Sequence, residues 1–127
     1  MKATLQKLIG MAVLGLALVS NSLPAWAGGV SHPQVSIGPY GAEGSMAGAR
    51  YSADSRQYIG CSLDTGPRAQ CAAQDSADNF AYCFSDNPKH VDSVQRMTDS
   101  SYIVFKVDRA TGACKSIHIS NNSSHLQ

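Results

Sequence analysis

The chain has 127 residues, of which 15% are charged, and its ten basic residues nearly balance its nine acidic residues. Charges of both signs are interspersed along the sequence, so the protein creates no strong field that would attract nucleic acid or an anionic membrane surface. We therefore expect neither a nucleic-acid partner nor a charge-driven membrane association.

The N-terminus is predicted to be a cleavable signal peptide over residues 1–27. Two lysines precede an uncharged apolar run over residues 8–19. A helix needs about 20 residues to cross the hydrocarbon core, so this run is too short for a stable membrane span. Small residues at Ala25 and Ala27 suit a signal peptidase and place cleavage after Ala27. A buried N-terminal helix is the alternative. The prediction makes the protein periplasmic or secreted.

Cleavage would leave about 100 residues with eight basic and nine acidic side chains, enough for one domain. Residues 50–120 hold only 17 large apolar or aromatic residues. Burial of that set roughly balances the entropy lost on ordering the chain, so covalent stabilisation is expected.

Four cysteines, all within residues 50–120, are expected to provide it as two disulfides, since an even number in a short exported chain indicates a disulfide framework. A zinc site is the alternative, but the Cys-x-x-Cys pairs typical of such sites, and of thiol redox proteins, are missing from the sequence. The four residues are Cys61, Cys71, Cys83 and Cys114.

Residues 28–49 are predicted to be a flexible or loosely docked arm. The stretch 28–48 holds six glycines and two prolines and shows no hydrophobic periodicity. A tether, or a segment that becomes ordered on a partner, is the alternative.

Three strands are predicted next, over Arg56 to Leu63, Ala69 to Gln74 and Phe80 to Ser85. The turn-forming stretches 64–67 and 75–79 separate them. The third strand places Phe80, Tyr82 and Phe84 on one aromatic face.

A short helix is predicted from Asn87 and Pro88, which suit a cap and the first helical position. An apolar stripe of Val91, Val94 and Met97 follows, and the helix is expected to end within 97–99. Asp92 and Arg96 would form an exposed pair on this helix.

Two further strands are predicted over Ser101 to Val107 and Ala113 to Ser120, joined by a hairpin loop. Residues 121–127 are expected to be a polar tail.

The predicted fold is therefore α+β, a five-stranded antiparallel sheet with one short helix in the order βββαββ over residues 50–120. Four cysteines allow three pairings. A hairpin about Ala77 would place Cys71 opposite Cys83, which favours that bond and leaves Cys61 with Cys114.

Catalytic and metal sites are not predicted, and no cofactor is expected. The four histidines show no zinc-site spacing, and residues 44–48 lack the strand and helix that flank a hydrolase nucleophile. The histidines are His32, His90, His118 and His125.

The tyrosines offer a hypothesis of recognition, with Tyr58, Tyr82 and Tyr102 as the candidate binding surface. If Tyr58 faces away from Ile59 and Cys61, it would join a patch for a glycan or a peptide. The alternative is that these rings complete a core poor in leucine.

Three runs resemble small exported bacterial proteins of uncharacterised function. They extend from Arg50 to Cys61, from Met97 to Ile103 and from Gly112 to Cys114. The resemblance covers most of residues 50–120 and implies one domain and bacterial export.

The expected function is that of an exported, non-enzymatic domain that binds a protein, peptide or envelope glycan outside the inner membrane. The alternative is a small exported enzyme or enzyme inhibitor acting on envelope or competitor substrates, for which Asp54, Asp64, Asp99 and His118 are the residues to test.

Overall fold

The computed structural model describes residues 32–125, so the predicted signal peptide, its cleavage site and residues 126–127 lie outside the described residues. None of the described helices is long and apolar enough to cross a membrane. The described elements, in chain order, are β1 (Ser36–Gly38), β2 (Gly41–Ser45), α1 (Met46–Arg50), β3 (Tyr58–Leu63), β4 (Ala69–Gln74), β5 (Phe80–Ser85), α2 (Pro88–Gln95), β6 (Tyr102–Val107), β7 (Cys114–Ser120) and a 3₁₀ turn (Ser123–His125).

The strands form two antiparallel sheets, one with the order β1-β2-β6-β7 and the other with the order β3-β4-β5. Antiparallel pairing is confirmed, but the prediction of a single five-stranded sheet with one helix in the order βββαββ is wrong, because β1, β2 and α1 precede β3 and the strands divide into two sheets. The chain between β5 and β6 passes through α2, so no tight turn forces these strands to pair. Strand β6 instead lies between β7 and the N-terminal strand β2.

Within the predicted arm, residues 28–49, the structure has regular elements: β1, β2 and all of α1 except its last residue. Glycine serves close packing here. A Cβ atom at Gly48 would lie 2.4 Å from the Pro33 carbonyl oxygen, and one at Gly41 would lie 1.9 Å from that of Phe105. The Ser45 hydroxyl caps α1 by accepting the Gly48 N–H at 2.7 Å. A glycine-rich composition, which predicts a flexible chain, thus also permits tight contact between two backbones.

The core lies between the two sheets, with α2 packed at its side. Ile103 and Phe105 of β6 are fully buried, and Val91 and Val94 of α2 contact the same cluster. The three-stranded sheet contributes mostly small residues from its inner face: Ile59, Ala69, Cys71, Ala73 and Cys83.

Helix α2 begins as predicted, with the Asn87 side chain accepting the Lys89 N–H at 3.0 Å and Pro88 in the first turn. It ends at Gln95, earlier than predicted, and Arg96 is its C-cap. The predicted pair of Asp92 and Arg96 is present, with an N–O distance of 2.7 Å.

The two predicted disulfides are present, but their predicted pairing is wrong. The bonds join Cys61 to Cys71 and Cys83 to Cys114. Cys71 does lie opposite Cys83 in the β4–β5 register, as the predicted hairpin requires, but it also lies opposite Cys61 on its other side. Because Cys71 has a cysteine neighbour on each side, the register alone does not select its partner. Its bond to Cys61 leaves Cys83 to join the second sheet.

Candidate functional site

The outer face of the three-stranded sheet carries four aromatic residues. The register aligns three rows across β3, β4 and β5, and alternation along each strand turns these side chains away from the core. We call these nine positions the aromatic face: Tyr58, Gln74 and Phe80 in the first row, Gly60, Ala72 and Tyr82 in the second, and Ser62, Gln70 and Phe84 in the third.

The rings of this face are exposed to solvent. Tyr58 is 52% exposed, Phe80 62% and Tyr82 43%, while Phe84 is half-buried. Their neighbours Ile59, Cys71 and Cys83 point into the core. Tyr58 and Tyr82 therefore do not serve as core residues, and the aromatic face presents large apolar surface to the surroundings.

The Tyr58 ring reaches over Gly60, its neighbour two residues along the strand, which has no side chain. A Cβ atom at Gly60 would lie 3.5 Å from the Tyr58 hydroxyl oxygen and 3.8 Å from its Cζ atom. Gly60 is buried beneath the ring, although its position points outward. An aromatic ring that covers a glycine on an edge strand protects the backbone there. Tyr58 nevertheless stays 52% exposed.

Two amide side chains on the central strand lie between the rings. Gln70 accepts a hydrogen bond from the Tyr82 hydroxyl at 3.2 Å, and Gln74 donates one to Asp78 at 2.9 Å. An amide offers two donors and an acceptor, so each glutamine keeps further hydrogen-bonding capacity. The face therefore combines flat apolar surface with polar groups held in place.

Ion pairs border the face at both ends. Arg56 pairs with Asp78 at 3.5 Å beside the first row, and Arg68 pairs with Asp86 at 3.0 Å beside the third. The Arg68 guanidinium also lies 5.2 Å from the centre of the Phe84 ring. The hydrogen bond and the charge of Asp86 both raise the pKa of Arg68. The nine positions of the face include no charged residue.

A cleft continues from the aromatic face around the edge of β5. It is lined by Phe80 and Tyr82 on one side and by Val107 and Arg109 on the other. Phe80 and Tyr82 can therefore be reached from the side as well as from above.

Tyr102, the third tyrosine of the predicted surface, lies elsewhere. It is on β6 of the four-stranded sheet, where its hydroxyl donates to the Glu43 carboxylate at 3.2 Å. Burial, followed by the charge of Glu43, raises the pKa of the Tyr102 hydroxyl. The structure brings together Tyr58 and Tyr82 but not Tyr102.

Four residues of the aromatic face lie outside the predicted binding surface: Phe80, Phe84, Gln70 and Gln74. The sequence contains a signal that could have identified these residues, because disulfide-bonded cysteines at positions 71 and 83 are expected to face the core. The residues that alternate with them must then face outward.

The four residues considered for enzyme activity are held in separate local structures. Asp54 accepts the backbone N–H groups of Arg56 and Gln57 at 2.8 and 3.2 Å, and Asp64 accepts those of Gly66 and Arg68 at 3.0 and 2.9 Å. In each case hydrogen bonds lower the pKa of the carboxyl, for Asp54 first that from the Gln57 side chain and for Asp64 first that from the Arg68 backbone.

Asp99 and His118 lie in other local structures, apart from the turns of Asp54 and Asp64. Asp99 accepts a hydrogen bond from the adjacent Ser100 hydroxyl at 3.3 Å, and His118 is exposed on β7. Within residues 32–125 no hydrogen bond or ion pair joins any two of the four. A metal-binding group of three or more side chains is likewise absent from the described residues.

One histidine contacts a serine. The Ser85 hydroxyl lies 2.7 Å from His90 Nδ1 and accepts the Asn87 N–H at 3.1 Å. The contact ties the end of β5 to the first turn of α2, which makes it part of the connection between these elements.

Comparison of the chain with protein-family models, with curated proteins and with solved structures finds no match.

Proposed function

We propose that the protein is an exported, non-enzymatic binding domain whose ligand site is the aromatic face. The observation that carries the proposal is the exposure of Tyr58, Phe80 and Tyr82 on one sheet face. Contiguous exposed apolar patches on small proteins mark sites of interaction. Tyrosine is especially suited to such sites, since it offers apolar area and a hydrogen-bonding group together.

The rigidity of the sheet supports this proposal. The bond between Cys61 and Cys71 ties β3 to β4, and the bond between Cys83 and Cys114 ties β5 to the second sheet. Rings held on a fixed framework lose little conformational freedom when a ligand binds, which favours affinity. The disulfides also suit an oxidising compartment outside the cytoplasm. The ligand would be a protein, peptide or envelope glycan met there.

The test compares purified protein with a double variant, Phe80→Ser with Tyr82→Ser, in cosedimentation with the envelope fraction of the cells that produce it. We expect the double variant to keep its circular dichroism and thermal midpoint, because both side chains lie outside the core. Its affinity should fall by about tenfold or more, as for loss of interface hot spots.

Tyr40→Ser is the matched control, since Tyr40 is 71% exposed but lies in the turn between β1 and β2. It should bind as the unaltered protein does. Equal binding by the double variant and the control would contradict the proposed site.

A further inference from the structure

The chemical composition of the aromatic face limits the classes of ligand that it can bind. Aromatic rings and amides make up its large side chains, and the remaining positions hold glycine, alanine or serine. Protein interfaces typically add methionine and arginine to their aromatic residues. None of the nine positions holds either residue or a branched aliphatic residue, and the one arginine that reaches the face is Arg68, whose guanidinium lies over the Phe84 ring. Flat rings and neutral hydrogen-bonding groups are what it offers.

A sugar ring matches this combination. The flat side of a pyranose presents C–H bonds, which pack against the electron-rich face of an aromatic ring. Its hydroxyl groups project around the rim, where they exchange hydrogen bonds with amides such as those of Gln70 and Gln74. Both kinds of contact are available side by side on β4 and β5.

The charges around the face point to an uncharged ligand. The two cations nearest its ends, Arg56 and Arg68, are each paired with an aspartate, at 3.5 and 3.0 Å. A polyanion would require unpaired cations, whereas both of these are paired and two further carboxylates, those of Asp64 and Asp75, lie in the turns at the ends of the sheet. Arg109 lies to the side, in the cleft beside β5.

The spacing of the rings indicates a chain rather than a single sugar. Phe80 and Tyr82 alternate along β5, which places their Cα atoms about 7 Å apart, and Tyr58 lies two strands away in the same row as Phe80, about 10 Å across the sheet. The amides of Gln70 and Gln74 lie on β4, the strand between β5 and β3, about 5 Å from each of these strands. Only an extended ligand touches Tyr58, Phe80 and Tyr82 together, and these are the three exposed rings of the face.

We infer that the aromatic face binds an extended, uncharged polysaccharide that lies across the exposed rings of Tyr58, Phe80 and Tyr82. This inference rests on the proposed function and gives its ligand class. A monosaccharide would contact one ring at a time and would bind far more weakly.

The first experiment uses the envelope fraction itself as the probe, treated either with proteinase K or with periodate, which cleaves the vicinal diols of sugars. Cosedimentation should survive proteinase K and fall by about tenfold or more after periodate. Binding that is lost to proteinase K and survives periodate would overturn the inference and identify a protein ligand.

The second experiment separates stacking from general apolar contact. Tyr82→Phe keeps the flat ring and should retain binding within about threefold, whereas Tyr82→Leu keeps apolar bulk without the ring and should lose about tenfold. Equal tolerance of the two variants would contradict stacking on a sugar.

The third experiment tests the neutrality of the ligand. Binding should change by less than about twofold between 50 and 500 mM NaCl, concentrations over which screening weakens exposed charge contacts. Arg109→Gln should bind normally, and polygalacturonate should not compete. A steep loss with salt, or competition by polygalacturonate, would overturn the inference in favour of an anionic polymer.

Failure of the inference and failure of the proposed function give different results. If Phe80→Ser with Tyr82→Ser still abolishes cosedimentation while periodate has no effect, the face binds something other than a glycan. If the double variant binds normally, the face is not the site. A change of oligomeric state in the double variant, measured by analytical ultracentrifugation, would show instead that the face joins two copies of the chain.

Discussion

Cys83 on β5 is bonded to Cys114 on β7, and this bond links the two sheets. The backbone supports the same junction, since the Phe84 N–H donates to the Gly112 carbonyl at 3.3 Å and Phe84 pairs with Ala113 in a parallel bridge. The bond between Cys61 and Cys71 lies instead within one sheet, between two strands that are already paired. The two disulfides therefore have different mechanical roles.

Removing the bond between the sheets should destabilise the protein more than removing the bond within one sheet. The sequence separations are 31 and 10 residues, which correspond to about 4 and about 3 kcal/mol of unfolded-state entropy. We expect Cys83→Ala with Cys114→Ala to lower the free energy of unfolding more than Cys61→Ala with Cys71→Ala, as measured by urea denaturation. The reverse order would contradict the different roles.

Gly48→Ala should destabilise the protein although alanine is the better helix former. Alanine gains up to about 1 kcal/mol over glycine inside a helix. At this position of α1, however, the added methyl group would lie 2.4 Å from the Pro33 carbonyl oxygen. Overpacking of this kind typically costs about 1 to 3 kcal/mol.

Gly38→Ala is the matched control for this substitution, since no atom lies within 4 Å of the added methyl group. It should leave the thermal midpoint nearly unchanged. A Gly48→Ala variant as stable as the Gly38→Ala variant would show that residues 32–50 are not docked as described.

Local patterns were sufficient to predict the elements from β3 to β7. The alternation over Phe80 to Ser85 and the cap at Asn87 depend on residues adjacent in sequence, and the structure has these elements with similar bounds. Division into two sheets depends instead on β2 pairing with β6, about 60 residues away along the chain. No local pattern contains that contact.

The glycine-rich segment 28–49 shows why composition alone does not distinguish a flexible chain from a closely packed one. Glycine raises the entropy of the unfolded chain and equally allows two backbones to touch. Only the partner backbone, here that of Pro33 near Gly48 and that of Phe105 near Gly41, decides between these outcomes. Similarly, Tyr58 and Tyr82 could be proposed for binding from their residue type, but Tyr102 could not be separated from them without knowing its sheet.

Three turn carboxylates should make the protein less stable in acid. Hydrogen bonds from turn backbone and side chains lower the pKa of Asp54, Asp64 and Asp75, for Asp75 first through the Asn79 side chain. A carboxyl whose pKa is lower in the folded state stabilises the fold fully above its unfolded-state pKa, which is about 3.9. That contribution is lost as the pH falls from about 4 through the folded-state values.

The measurement is urea denaturation at pH 7 and pH 3. Replacing all three residues with asparagine keeps a side-chain oxygen for each turn but removes the titration. We expect the triple variant to lose less stability between these pH values than the unaltered protein. Asp99→Asn, which alters a carboxylate outside these three turns, is the control and should leave the difference unchanged. An identical acid loss in the triple variant would contradict the role of the turns.

The contact between Tyr58 and Gly60 predicts a variant that folds normally and binds poorly. Alanine at position 60 would place its methyl group 3.5 Å from the Tyr58 hydroxyl oxygen, an ordinary contact, so Gly60→Ala should be neutral in binding. Valine is larger and would lift the ring from the sheet, yet it suits an edge strand better than glycine does. Gly60→Val should therefore keep or raise the thermal midpoint while weakening cosedimentation with the envelope fraction as much as Tyr58→Ala does.

In the Tyr58→Ala background the same substitution should have no further effect on binding, because the ring it displaces is gone. Additive losses in the double variant would show that position 60 contributes to binding independently of Tyr58.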